Sequence, residues 1–359
     1  MLRWAEVHLE RLLSNYRTVK KLCQKQVYAV VKANAYGHGS REVAAFLEKN
    51  TDVYGFAVAT YEEGAQLREA GVKRPILVMS STLEEGKGFL KEYKLTPVVY
   101  DFTELRLAKE LNVPFHVKID TGMGRLGFLE GEWEELLFQL KNLPVAGVMT
   151  HFSSADEDEE FTLSQLKKFE GFVSLLKKDF PDLEVHAENS AAALYRFNNL
   201  LTHCRVGLAL YGVPPEKGYP ELSQVMEVKA KVLTVKELPP NYPVSYSKTY
   251  RTKGKERVAV ISFGYADGYP RELSNRGEVL INGKRCPVRG RVCMDMTIVS
   301  VEEINAEKGN VATLYGDGIT FKSVAEKTGK IPYELMCSIS PRVERVYFCL
   351  LYTSPSPRD

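Results

Sequence analysis

Val27-Tyr28-Ala29-Val30-Val31-Lys32-Ala33-Asn34-Ala35-Tyr36-Gly37-His38-Gly39 joins a short β-branched apolar run to a lysine and then to a loop with two glycines. A run of this length and composition predicts a strand buried on both faces. A lysine at the end of such a strand either snorkels to solvent or is held in place for its amine. Taken alone, the ordinary reading is a solvent charge. A desolvated amine in that position is also the group that forms a Schiff base with a carbonyl compound. The rest of the chain decides.

Working outward, short apolar runs alternate with amphipathic ones through the first two-thirds of the chain. Further strands are predicted at 53–59, 76–79, 97–100, 115–119, 145–149, 184–187 and 204–208. Helical patterns lie between them, for example at 61–70, 103–111, 133–140 and 162–178. Eight strands alternating with helices over this length point to an α/β fold, a (β/α)8 TIM-type barrel rather than an open sheet, spanning 9–222. After Gly212 the texture changes at Pro214-Pro215, Gly218 and Pro220. Short β-rich runs follow at 225–235, 257–262, 278–282, 286–289, 296–301 and 311–315, joined by turns such as Asn282-Gly283 and Asp317-Gly318. The fold class is thus a barrel followed by a mainly β C-terminal domain, the latter read as all-β over 223–350, with 1–8 able to join it. The Ser- and Pro-rich end, 351–359, is expected to be disordered or non-native.

The chain of 359 residues carries a net charge of +2 with 44% apolar and 26% charged residues, ordinary values that give no reason to invoke nucleic acid or an anionic membrane. No apolar run approaches a membrane span and no signal-peptide h-region is visible. The six cysteines lack metal-type spacing. Reduced thiols in a cytoplasmic protein without a metal are therefore expected.

Gly122-Met123-Gly124-Arg125-Leu126-Gly127 matches the dinucleotide fingerprint GxGxxG. The next strand ends in Thr150-His151, however, with no acid to hold a ribose hydroxyl, and no helix start follows Gly127. Other strand ends suit one small anionic cofactor better. Lys118 and Asp120 share a strand face, with Arg125 just beyond, and His151 ends the sixth strand. Glu188-Asn189-Ser190 ends the seventh and offers a hydroxyl at a helix start. Arg205-Val206-Gly207-Leu208 ends the eighth, offering a guanidinium and then backbone amides. Loops after strands seven and eight are the usual phosphate site of such barrels. Each residue alone has a bland reading: Ser190 as a helix cap, Arg205 as a surface charge, His151 as a core histidine. Together with Lys32 they describe a pyridoxal phosphate pocket.

Segments 31–39, 118–127, 189–191, 205–212, 244–246, 264–269 and 290–295 resemble, in order, the signature segments of the alanine racemase family. The resemblance implies a pyridoxal 5'-phosphate enzyme that interconverts L-alanine and D-alanine, supplies D-alanine for peptidoglycan, and works as a homodimer with shared active sites. It implies that Lys32 holds the cofactor and acts as one acid/base, with Tyr246 from the partner subunit as the other. Tyr36, Ser190, Gly207 and Leu208 would hold the phosphate. Arg205, steadied by His186, would face the pyridine nitrogen, and His151 would back the ring. Arg125 would reach the cofactor and the substrate carboxylate, assisted by Met294. Lys118 would be carbamylated. Asp156, Tyr265, Arg271 and Arg291 would line the access channel, although Asp156, Tyr265 and Arg271 also read as plain surface residues.

One departure stands out. Ser340-Pro341-Arg342-Val343 lies where well-known members carry a tyrosine before Arg-Val. Pro341 has neither a hydroxyl nor a backbone donor. This opens the alternative of a broader serine/alanine racemase. The remaining alternatives are a barrel-type amino acid decarboxylase, which would ordinarily place an acid at the pyridine nitrogen, and a non-catalytic pyridoxal phosphate carrier, which would lack the β domain.

Overall fold

The computed structural model describes residues 1–195, 200–214 and 222–349. The terminal segment 351–359, expected to be disordered, lies outside the described residues. Two compact units are present: Leu13–Ala35 with Ser40–Leu222, and Met1–Leu12 with Tyr36–Gly39 and Ser223–Asp359.

The first unit is a closed barrel of eight parallel strands. In chain order they are Gln26–Val30, Gly55–Val58, Ile76–Val78, Thr96–Val99, Phe115–Lys118, Val145–Met149, Glu184–His186 and His203–Val206. Each matches its predicted run to within two residues. Closure comes from the first and last strands, where Val27 pairs with Cys204 and Tyr28 with Arg205. Side chains on both strand faces are buried, among them Val27, Ala29, Phe56, Ala57, Ile76, Phe115 and Val148. That two-sided burial is why the strands read as unbroken apolar runs instead of alternating ones. The connecting helices begin where the sequence supplies caps. Thr60 and Glu63 form a capping box before Tyr61–Glu69, and Asp101 and Asp158 cap Phe102–Leu111 and Glu159–Leu176. In a parallel barrel all C-terminal strand ends share one mouth. Lys32, Asp120, His151, Ser190 and Gly207 follow those ends.

The second unit centres on the long strand Met226–Leu238. Its first half pairs with Arg3–His8 on one side and Val311–Tyr315 on the other. Its second half pairs with Glu256–Ile261, which pairs in turn with Thr297–Ser300. Arg3–His8 also pairs in parallel with Glu344–Phe348, so an early and a late segment of the chain share this sheet. An all-β reading needs one correction: helices Phe321–Thr328 and Pro332–Cys337 lie here too. Pro332–Cys337, at six residues, is too short to show a helical period, and Phe321–Thr328 is easily passed over amid the surrounding β-rich runs. Among the described residues, no helix is long and apolar enough to cross a membrane.

Candidate active site

In the barrel unit, Lys32 is half-buried and opens a turn in which Ala33, Asn34, Ala35 and Tyr36 all have φ between 51° and 54°. Left-handed backbone costs about 1–2 kcal/mol per non-glycine residue. Surrounding contacts therefore have to hold it. Ala33 N–H donates to Glu63 Oε1 at 2.7 Å, and Ser40 N–H donates to Asn34 Oδ1 at 2.9 Å. Glu63 is the same residue that closes the capping box. The sequence marks the turn only through Asn34, Gly37 and Gly39; the two alanines gave no signal.

The GxGxxG stretch is a loop folded around a carboxylate. Asp120 Oδ1 accepts from the amides of Gly122, Met123 and Gly124 at 2.9, 2.8 and 3.1 Å, and Oδ2 accepts from Arg125 at 3.0 Å. The amides that a dinucleotide would need are thus taken. The chain then doubles back, with Phe128 N–H donating to Lys118 O at 2.9 Å. At Gly127 a Cβ would stand 2.6 Å from Asp120 N, so only glycine permits the return. Arg125 is thereby fixed at the loop tip.

Lys118 is 5% exposed. Burial first, then the charges of Arg125 and Arg205, push its amine down to about 8. Burial and the charges of Arg205, Arg125, Lys118 and Lys32 hold His151 well below the usual imidazole range. Arg205 is buried and its guanidinium is pushed down to about 10, chiefly by desolvation. It donates to His186 Nδ1 at 2.8 Å, His151 Nδ1 at 3.2 Å and Thr150 O at 2.8 Å. Asn189 Oδ1, accepting from Ala192 N–H at 3.0 Å, supplies the helix cap considered above for Ser190. Ser190 Oγ instead accepts from the amides of Gly207 and Ala209 at 3.1 and 3.3 Å. Leu208 follows Gly207 in the same turn. Arg125, Arg205 and Lys32 all act against protonation of Lys118, while the Asp120 carboxylate is engaged by backbone amides. This arrangement fits an anionic, phosphorylated carbonyl cofactor. Asp156 is exposed in the turn before Glu159–Leu176.

In the β unit, Tyr246 sits at the tip of the hairpin formed by Pro243–Val244 and Tyr250–Arg251. Ser245, Ser247 and Lys248 have positive φ, and Ser245 Oγ donates to Arg291 O at 2.6 Å. The hairpin is anchored by Val244 packing with Leu238 and Val258. Its phenol is presented outward, 68% exposed. Arg271 and Arg291 share a shallow cleft of about 470 Å³ with Thr249 and Asn275. Gly264 lets Tyr265 and Met294 approach: Tyr265 N–H donates to Cys293 O, Ala266 N–H to Met294 O, both at 3.0 Å, and a Cβ on Gly264 would lie 2.3 Å from either carbonyl oxygen. The Tyr36 hydroxyl is held above its ordinary range by desolvation, with Cys337 and Tyr333 beside it.

Fold and site together define a pyridoxal phosphate-type barrel enzyme with an appended β domain. Sequence profiles of the alanine racemase N-terminal domain and C-terminal domain match residues 7–215 and 225–347. The chain is 44% identical over 342 residues to an alanine racemase of Aquifex aeolicus, covering 95% of this chain and 98% of that protein. Against an alanine racemase of Carboxydothermus hydrogenoformans the identity is 41%, over 96% and 99%. The alanine racemase of Clostridium difficile 630 superposes with a TM-score of 0.91 at 35% identity, covering 97% of this chain and 96% of that one. A Bartonella henselae alanine racemase with covalently bound pyridoxal phosphate gives 0.87 at 28% identity, covering 97% and 100%. The chain belongs to the alanine racemase family, whose members are isomerases dependent on pyridoxal 5'-phosphate.

Proposed function

We propose that this protein interconverts L-alanine and D-alanine by two-base proton transfer, and that it does so as a homodimer in the cytoplasm, supplying D-alanine for peptidoglycan. The observation that carries the reading is the meeting of Lys32 with three further cations at one barrel mouth, in a chain that also presents Tyr246 at a hairpin tip.

Lys32 would hold the cofactor through its amine. The bound cofactor supplies an electron sink that acidifies the α-hydrogen of alanine. Ser190 Oγ already accepts two amides, which leaves its hydroxyl hydrogen to point at a phosphate oxygen. The Gly207 and Leu208 turn and the Tyr36 hydroxyl would complete the phosphate grip. Arg205, always a donor, would face the ring nitrogen without protonating it. His151 would back the ring. Arg125, fixed by the Asp120 loop, would take the substrate carboxylate with help from the Met294 amide. Racemisation needs one proton-moving group on each face of the α-carbon; Lys32 would serve one and the partner subunit's Tyr246 the other. An amine near 8 has a substantial neutral fraction at neutral pH, so Lys118 is suited to carbamylation by carbon dioxide. That would place a negative charge beside Arg125. Tyr265, Arg271, Arg291 and Asp156 would line the approach.

The test is conversion of L-alanine to D-alanine by purified protein with added pyridoxal phosphate, and its loss in Lys32→Ala. A protein that binds the cofactor and produces no D-alanine would overturn the reading. Pro341, exposed between Ser340 and Arg342, favours broader substrate use as a second reading. If it is right, Pro341→Tyr lowers kcat/KM for L-serine relative to L-alanine.

A further inference from the structure

Below Arg205 the barrel interior is polar, and the proton transfers above make no use of it. His186 Nε2 lies 2.7 Å from His116 Nδ1. On the far side of that ring, His116 Nε2 lies 3.6 Å from Glu184 Oε2. Glu184 accepts from Tyr28 Oη at 2.6 Å and from Tyr54 Oη at 2.5 Å. Glu184 begins the strand Glu184–His186, and Tyr54 precedes the strand Gly55–Val58, so both stand at the mouth opposite Lys32. The line Arg205, His186, His116, Glu184 therefore crosses the barrel from one mouth to the other.

The order of protons along this line has a single solution. A guanidinium donates and never accepts. His186 Nδ1 must therefore be the acceptor of its 2.8 Å contact with Arg205. Desolvation, with Arg205, His116 and His203 adding to it, holds His186 well below the ordinary imidazole range. Desolvation, then His203 and Arg205, pushes His116 down to about 3. Both rings are thus neutral near pH 7. A neutral imidazole that accepts at Nδ1 carries its proton on Nε2. His186 Nε2–H accordingly donates to His116 Nδ1, and His116 carries its own proton on Nε2, toward Glu184. A donor-only group at one end and two neutral rings in series leave no alternative arrangement.

We propose that Glu184 is a positioning residue for Arg205, acting through a one-directional path in which His186 accepts at Nδ1 and donates from Nε2 to His116 Nδ1, and His116 turns its own Nε2–H toward the Glu184 side chain across 3.6 Å, a charge–dipole contact and not a hydrogen bond. Reversing His186 would set an N–H against Arg205 and displace its fork, and reversing His116 would set two N–H groups against each other. The consequence for the reaction rests on the reading that Arg205 faces the cofactor's ring nitrogen. The proton order does not.

Two readouts separate these. In full-length protein labelled with ¹⁵N-histidine, long-range ¹H–¹⁵N correlation assigns the tautomers, with His116→Gln and His186→Gln identifying the signals. Both rings should be Nε2–H and should not titrate between about pH 5.5 and about pH 8.5, where an unperturbed histidine changes charge. A proton on Nδ1 of either ring, or titration in that window, overturns the path. The second readout uses Glu184→Gln, which keeps an acceptor oxygen and removes the charge. It should move the His116 Nε2 resonance. In cofactor-loaded enzyme it should shift the cofactor absorption band and lower kcat by up to about tenfold, the effect of about 1.4 kcal/mol, with KM for alanine little changed. His8→Gln is the control: His8 ends the strand Arg3–His8 of the other unit. It should leave the His116 resonance, the absorption band and kcat as in the wild type. A Glu184→Gln enzyme with a wild-type spectrum and kcat refutes the positioning role. Inactivity of the wild type with intact tautomers would instead refute the racemase reading alone.

Discussion

Lys118→Met should make the cofactor-free protein more stable at neutral pH. The amine is 5% exposed and is pushed from an ordinary 10.5 down to about 8, by burial first and then by Arg125 and Arg205. A difference of about 2.5 corresponds to about 3 kcal/mol of preference for the neutral form. The native state therefore carries a penalty of that order at every pH below about 8, where Lys118 is protonated both folded and unfolded. Between about 8 and 10.5 the unfolded chain binds more protons than the folded one, so this group's contribution to stability rises with pH and levels off above 10.5. Methionine has a similar length and no charge, so it removes both the desolvation and the repulsion. Urea unfolding at pH 7, with bicarbonate and carbon dioxide excluded, should show Lys118→Met more stable by up to about 3 kcal/mol, an upper figure because the site can relax. Near pH 10 the gain should shrink toward zero. A variant less stable than wild type at pH 7, or a gain that grows with pH, would refute the reasoning.

Three further outcomes are expected. Borohydride should fix pyridoxal phosphate irreversibly to the protein on Lys32, as read by peptide mass spectrometry, and Lys32→Ala should lose both this label and the near-visible absorption. Mixing Lys32→Ala with Tyr246→Phe subunits at equal amounts, after demonstrated exchange, should restore about a quarter of wild-type activity, since half the dimers are mixed and each regains one intact site; no recovery would exclude Tyr246 acting across an interface. Asp120→Ala should free four amides at the Arg125 loop, lower stability by about 2 kcal/mol and raise KM for alanine more than it lowers kcat; unchanged KM would detach Arg125 from the substrate.

Much of this was legible in the residues. The buried strands announced themselves because two-sided burial demands unbroken β-branched runs, as in Val27–Val31, and the polar groups at their ends stood out against that background. Two kinds of feature did not. The left-handed turn after Lys32 is imposed by contacts from Glu63 and Asn34, and alanine carries no local mark of such a backbone. The path through His116 to Glu184 depends on which side chains meet across the barrel, a long-range property. The Asp120 loop shows the opposite hazard, since its glycines serve a return of the chain and a carboxylate occupies the amides that the motif would offer to phosphate. Helix Pro332–Cys337, at six residues, fell below any periodic signal.

Hydrogen exchange at the α-carbon tests the two-base account most directly. Cofactor-loaded Tyr246→Phe and Lys32 variants retaining the cofactor by other means are not both needed; Tyr246→Phe alone suffices. In deuterated water, ¹H NMR follows loss of the α-proton from L-alanine and from D-alanine separately. If Lys32 and Tyr246 serve opposite faces as proposed, with Tyr246 on the face that carries the α-hydrogen of L-alanine, Tyr246→Phe should slow exchange from L-alanine about 100- to 10,000-fold, the usual range for a general base. Exchange from D-alanine should be much less affected and the cofactor spectrum unchanged. Equal loss from both enantiomers with cofactor still bound would contradict two bases and leave a single group serving both faces.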